Sequence, residues 1–408
     1  MKYLSLIILF SAISLAGRFS ANAQIPLINN NSAFRFNINA EIRIKHKLFL
    51  TTDSIRVMLL ITANENVDFA NKYRLSYSVL PGYDSDRILL TDSISLGRHM
   101  KAYANGAHLI EFGLDYRPDF EVLVIQASKQ DNSASRYYDI FLDRGFNPPN
   151  GNLLLIDEQT GIPVLGGFIR AGQPVIVRTL ENQPVLLHGF QYKMDFPEAL
   201  PPMVTEDRPV GRDLGIDSVF TFTSDRQVVF NRDGLYFIQR DTTTLEGMGF
   251  RVENPYYPLV KTFDQLIGPL IYLSTGEETR SIRSSPNPRQ AFENHWVKWC
   301  GSQELAARTI GLYYEAVAEA NFYFTSFKEG WKTDMGMTYI IFGRPDEVYN
   351  NEETVDWVYN SDLSIPAVRF SFYKVNTIFS DNHYTLLRRK NYDRSWFRMV
   401  ESWRKGTK

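Results

Sequence analysis

Cysteine is almost missing from this sequence. Cys300 is the only one among 408 residues, so no internal disulfide can form and the domains must hold by packing alone. It sits in the stretch HWVKWCG, on a helical pattern rich in tryptophan, which predicts a buried apolar thiol rather than a nucleophile. Histidine is scarce and scattered: His46, His99, His108, His188, His295 and His383 are all there are. None stands in an HExxH pattern or beside a CxxC pair, and no loop alternates acids as calcium sites do, so no metal site is expected. No cofactor is expected either. Gly247-Met248-Gly249 lacks the third glycine of a dinucleotide loop, and neither GxSxG nor a phosphate loop occurs. Charge of one sign is not in excess. A formal net charge of −2 is unlike a nucleic-acid binder, whose phosphate contacts require a clustered basic surface. The nearest basic run, Arg388-Arg389-Lys390, reads as a solvated strand end. Beyond the N-terminus no stretch reaches roughly eighteen unbroken apolar residues, so no transmembrane span is expected.

The N-terminus itself has the grammar of a secretory signal peptide. Lys2 is a basic start, Leu4 to Ala16 is apolar, and Ala21-Asn22-Ala23 is a small-x-small cleavage site. Cleavage would leave Gln24 first, and with no cysteine nearby the lipid-attached type of signal is excluded. The expected location is therefore periplasmic or extracellular.

Strand-like alternation begins soon after. Phe34, Phe36, Ile38, Ala40, Ile42 and Ile44 alternate with polar residues, predicting one half-wet strand. The rhythm returns at Ile55–Ile61, Leu75–Val79, Ile110–Leu114, Phe120–Val124 and Tyr138–Leu142, with a further strand near Ile88–Leu96. Such a series closes naturally as an all-β sandwich of immunoglobulin-like type over residues 34–147. Arg144 to Gly151 reads as a linker. A second all-β sandwich is expected over 151–255, with Gln227–Ile238 a hairpin turning at Asp233-Gly234. Between Lys193 and Ser218, four prolines and no periodicity read as a mobile stretch or a simple insertion rather than a binding loop.

From Leu259 the period changes to three and four, predicting an α+β domain over 259–408. Asn287 and Pro288 start one helix, carrying Phe292, Trp296 and Trp299 on one face. A long helix from Ser302 to Phe327 aligns Ala306, Ile310, Tyr313, Tyr314, Val317, Asn321 and Phe324. Gly330 stands where a left-handed helix stop would go. Met335 to Phe342, apolar on both faces, reads as a central strand. Gly343 breaks it, and Arg344-Pro345-Asp346-Glu347 turns the chain. Strands at Val355–Tyr359, Val368–Tyr373 and Tyr384–Leu387 follow. A last helix starts at Asp393, with Tyr392 and Phe397 spaced as a hydrophobic staple and Trp396, Met399, Val400 and Trp403 as its buried stripe.

Gly330-Trp331-Lys332-Thr333-Asp334 resembles the signature of the GWxTD domain family, a bacterial domain with no established activity. Gly336, Gly343, Pro345 and Asp346 fit the family's continuation, whereas Met335 replaces a commonly basic residue. The resemblance implies a bacterial envelope setting. From the residues themselves, Trp331 is expected to anchor the long helix to a sheet. Asp334 is expected to accept turn hydrogen bonds as a cap. An eight-residue strand spans about 26 Å at roughly 3.3 Å per residue, too far to pair Asp334 with Asp346 as acid and base. The expected role is a non-catalytic structural or interaction module with an envelope protein partner. Two other readings stand beside it: a hydrolase or glycan-processing enzyme using Asp334 or Asp346, and a glycan binder using Trp357 or Tyr373.

Overall fold

The computed structural model describes residues 30–408 apart from 51–52, 66, 143–151, 182, 193–195, 206–213 and 362–365. The leader with its cleavage site and the linker at 144–151 lie outside the described residues. The chain is β-rich, and its helices are mainly C-terminal.

Two antiparallel sheets form the first unit. One has the order β1–β2–β6–β5, from β1 (Ile42–Leu50), β2 (Ser54–Ala63), β5 (Met100–Ala102) and β6 (Ala107–Asp115). The other has the order β4–β3–β7–β8, from β3 (Tyr73–Leu80), β4 (Leu90–Ile94), β7 (Val122–Lys129) and β8 (Ser135–Phe141). Short helices α1 (Phe69–Lys72) and α2 (Leu96–His99) carry the chain from one sheet to the other and back. The period-two residues face each other as expected: Ile55, Val57, Leu59 and Ile61 share one core with Leu75, Val79, Leu123 and Ile125.

The alternation at 34–45 is not one strand. Ala33–Phe36 is a 3-10 turn, and pairing starts only at Ile42. The apolar residues before it serve two cores rather than one sheet face. Phe34 packs edge-on to Tyr138 of the first unit, whereas Phe36 lies against Phe324 and Trp357 of the last. The backbone here pairs with the last unit too, Ser32 N donating to Val348 O at 2.9 Å.

The second unit holds β9 (Leu153–Asp157), β10 (Phe168–Arg170), β11 (Pro174–Thr179), β12 (Leu186–Tyr192), β13 (Ile216–Thr223), β14 (Gln227–Val229), β15 (Gly234–Gln239) and β16 (Met248–Glu253). They form sheets β14–β11–β9 and β10–β16–β15–β12–β13, with β10 parallel to β16. The expected hairpin at 227–238 does not form. Its arms join different sheets, because Val228 pairs with Val175 while Phe237 pairs with Phe190 and Gly249. The Asp233-Gly234 step is thus a crossing between sheets. Phe230, just before it, fills the core against Tyr236 and Phe250.

The last unit begins with α3 (Phe263–Ile267), α4 (Gly276–Ser284), α5 (Pro288–Cys300) and α6 (Gln303–Phe324). Asn287 caps α5 with Pro288 following, as expected, and Ser302 caps α6. Cys300 is buried. The stretch read as a central strand is instead a helix, α7 (Asp334–Phe342), with all nine residues buried. It packs on α6 and is followed by the antiparallel sheet β17 (Glu347–Asn350), β18 (Thr354–Tyr359), β19 (Val368–Lys374) and β20 (Tyr384–Leu386). The closing helix α8 (Asp393–Arg404) buries Trp396, Met399, Val400 and Trp403. Trp403 donates to Ile341 O at 3.0 Å and so fastens α8 to α7. No staple forms at its start, since Phe397 is 62% exposed while Tyr392 is buried. Among the described residues, no helix is long and apolar enough to cross a membrane.

Candidate functional site

The glycines of the signature are there for backbone contact. The long helix stops at Phe324, and Gly330–Lys332 forms a 3-10 turn rather than a left-handed cap. A Cβ on Gly330 would lie 2.1 Å from Ala320 O, and one on Gly336 would lie 1.8 Å from Gly330 O. Two turns of chain therefore touch α6 and each other with no space for a methyl group. Thr333 locks the stack. Its hydroxyl donates to Gly330 O at 2.7 Å and accepts from Gly336 N at 2.9 Å, so Thr333, not Asp334, is the cap of α7. Asn321, buried on α6, accepts from Trp331 N at 3.0 Å and donates to Pro258 O at 3.1 Å. The Trp331 ring is half-buried. It packs edge-on to Tyr272 and directly over Gly268, joining the signature to the turn after α3 rather than to a sheet.

Asp334 accepts a backbone N–H as expected, but from across the domain. Its Oδ2 takes Leu386 N at 2.8 Å, and both carboxylate oxygens take the guanidinium of Arg388, at 2.5 and 3.1 Å. This is a two-pronged, largely buried ion pair, and it corrects the reading of Arg388 as a solvated strand end. Arg388 also donates to Leu200 O at 3.2 Å. The proline-rich segment is thus no free insertion where it is described. Ala199 N donates to Lys332 O at 3.0 Å, Arg389 N to Pro202 O at 3.1 Å, and Lys328 to Pro197 O at 3.3 Å. Residues 196–202 run over the signature as a strap.

The other signature residues serve the turn into β17. Gly343, which ends α7, has φ +84°, a positive value that favours glycine. Arg344 is exposed and Pro345 buried. Asp346 accepts from Asn360 N at 2.7 Å, and Glu347 accepts from the Tyr349 hydroxyl at 2.8 Å. As a nine-residue helix, α7 is only about 13 Å long at 1.5 Å per residue. That is half the separation a strand would give. Even so, Asp334 and Asp346 are held at opposite ends by different partners.

Charges missed in the sequence link the signature to the second unit. Arg251 on β16 is fully buried; it donates to Glu253 at 2.5 Å and to Phe327 O at 2.8 Å, with Glu329 at 3.7 Å. Glu329 in turn meets Lys332 at 3.2 Å. Backbones close the same interface: a Cβ on Gly167 would lie 2.6 Å from Thr325 O, and one on Gly249 would lie 2.4 Å from Phe379. Burial pushes the Glu253 carboxyl up to about 7 despite Arg251. Because the folded value is raised, the folded chain holds this proton more tightly than the unfolded one. The contribution is fully present below the ordinary glutamate range and is lost as pH rises through about 7. Thermal melting of Glu253→Gln should therefore depend less on pH than the parent between about 4.5 and 7. An unchanged slope would place the titration elsewhere.

Ser326 and His383 also meet, Oγ to Nδ1 at 3.1 Å. Both are buried, and desolvation, then Lys328, pulls the imidazole down to about 4. A neutral ring closed off from solvent holds the 375–383 loop in place; it is not a nucleophile–base pair open to substrate. Trp357 is fully buried and cannot face a glycan, whereas Tyr373 is exposed. Among the described residues no group of three or more His, Cys, Asp or Glu could hold a metal ion.

No curated protein and no solved structure matches the chain. The family model of the GWxTD domain matches residues 234–405, taking in β15 and β16 together with the helices and sheet that follow. The Arg251 network and the signature both fall inside that span, so the chain carries a GWxTD domain over those residues.

Proposed function

We propose that this is an exported protein of the bacterial envelope, acting as a non-catalytic structural and interaction module. The observation that carries this reading is the commitment of the signature's polar atoms to internal contacts. Thr333 is spent on Gly330 and Gly336, and both oxygens of Asp334 on Leu386 and Arg388. A carboxylate that accepts three internal hydrogen bonds and is only 9% exposed offers little to a substrate, which weakens the hydrolase reading at this place. The first unit supports the interaction role. Its sheet orders β1–β2–β6–β5 and β4–β3–β7–β8 resemble the immunoglobulin-like sandwich, an architecture well suited to spacing and docking. Export rests on the leader pattern.

The test is cell fractionation with intact-mass measurement, followed by cross-linking in intact cells. The envelope fraction should hold a product beginning at Gln24, cross-linked to a discrete envelope protein. Retention of Met1 in the cytoplasm would defeat the export reading. Glycan hydrolysis abolished by Asp346→Asn, with melting unchanged, would put the enzyme in its place.

A further inference from the structure

All three units face one cleft of about 600 Å³, within the range of ligand sites. Seven consecutive residues of β1, Ile42 to Leu48, line it. Successive residues belong to opposite faces of a strand, so a cleft that touches them all runs along the strand's edge. The sheet order makes β1 an edge strand. Across from it stand residues 164–167 and 247–249 of the second unit, and 322, 323, 325, 350–355, 378–382 and 384 of the last.

The neighbouring edge in the same cleft is β8, and it is covered. The Tyr137 and Asp139 carbonyls accept from the side chains of Asn30 and Arg35. For Ile42 to Lys47, the main-chain hydrogen bonds among the described residues run only to β2.

The edge also carries a cationic row. Arg43, Lys45 and Lys47 are alternate residues of one face, each half-buried. Arg43 and Lys45 both lie over the Phe322 ring, at 5.7 and 4.5 Å. None has a carboxylate within ion-pair distance among the described residues. Burial and the adjacent Arg43 pull the Lys45 ammonium down to about 8, as expected of positive charge without compensation. The cleft's own acids do not neutralise the row. Asp139 is paired with Arg35, Asp381 acts on Lys47 and His46 only at longer range, and Glu352 and Glu353 belong to the wall formed by the last unit.

We propose that this cleft binds an extended acidic segment of a partner protein, added as a strand to the edge of β1. Main-chain bonds to β1 would supply affinity, and acidic side chains at every second position would meet Arg43, Lys45 and Lys47. Those cations recur about every 6.6 Å, the repeat of alternate side chains in an extended peptide. The inference rests on the interaction-module reading and names the chemistry of its partner.

The test uses the mature chain and synthetic hexapeptides followed by fluorescence anisotropy. One peptide alternates Glu with Val, a second replaces each Glu by Gln, and a third carries N-methyl groups on alternate backbone nitrogens. Polygalacturonate serves as a non-peptide polyanion. The Glu–Val peptide should bind best, weaken with salt, and lose at least about tenfold on Lys45→Glu. Arg289→Gln, an exposed cation on α5, should leave binding unchanged. Equal binding of the Gln peptide, an unaffected Lys45→Glu of parental melting temperature, or N-methylated peptide binding as well as the parent would overturn the proposal. Tighter binding of polygalacturonate would overturn the peptide class. None of these results bears on export or on the cross-links formed in the envelope of intact cells, so failure here is distinguishable from failure of the broader reading.

Discussion

Asp334→Ala should cost about 3–5 kcal/mol of unfolding free energy, the range for breaking a buried ion pair on one side. The side chains of Asp334 and Arg388 are only 9% and 18% exposed, so solvent screens the pair little. Removing the carboxylate leaves a guanidinium whose remaining contacts are the Leu200 and Leu386 carbonyls, and leaves Leu386 N without its acceptor. Asp334→Asn should be milder, because an amide oxygen still accepts from Leu386 N, yet it should lose about 1.5–3 kcal/mol with the charge. Urea unfolding followed by tryptophan fluorescence gives the order parent, Asn, Ala. A ligand-binding Asp334 gives the opposite pattern, with Asn abolishing function at unchanged stability.

Gly336→Ala should be at least as damaging, at about 3 kcal/mol or more. Its methyl group would meet a backbone oxygen at 1.8 Å, and a backbone oxygen cannot turn aside as a flexible side chain can. Either α7 shifts, which its burial on every face resists, or the Gly330 turn leaves α6. Gly311→Ala on α6 is the matched control, since a Cβ there meets nothing within 4 Å. It should stabilise the chain by about 0.4–1 kcal/mol. Circular dichroism melts of the two variants would show opposite shifts.

What the sequence made legible follows from where its information is local. The cap at Asn287, the α6 stripe and the period-two strands of the first unit each depend on neighbours a few residues away. The helix α7 was illegible for a physical reason: residues apolar on every side carry no period, so a buried helix and a buried strand read alike. Length did not decide between them, since nine residues suit either. Trp331 was recognisable as an anchor, but not its seat on Gly268 and Tyr272. Arg388, Arg251 and the 196–202 strap lie 54, 83 and more than 130 residues from Asp334 along the chain, and no local pattern announces such pairings. Only the charge of Arg388 was visible, and in a basic run it resembled a solvated end. The aromatic alternation at 34–45 misled because two cores, not one, took its side chains.

The central claim is that the signature acts by holding the fold together through Asp334 and Arg388. A double-mutant cycle of Asp334→Asn, Arg388→Gln and the pair, measured by urea unfolding, tests it most directly. The structure predicts that the double variant loses much less than the sum of the single losses, with a coupling of at least about 1 kcal/mol. Additivity within about 0.5 kcal/mol would contradict the account and return Asp334 to the candidates for a functional site.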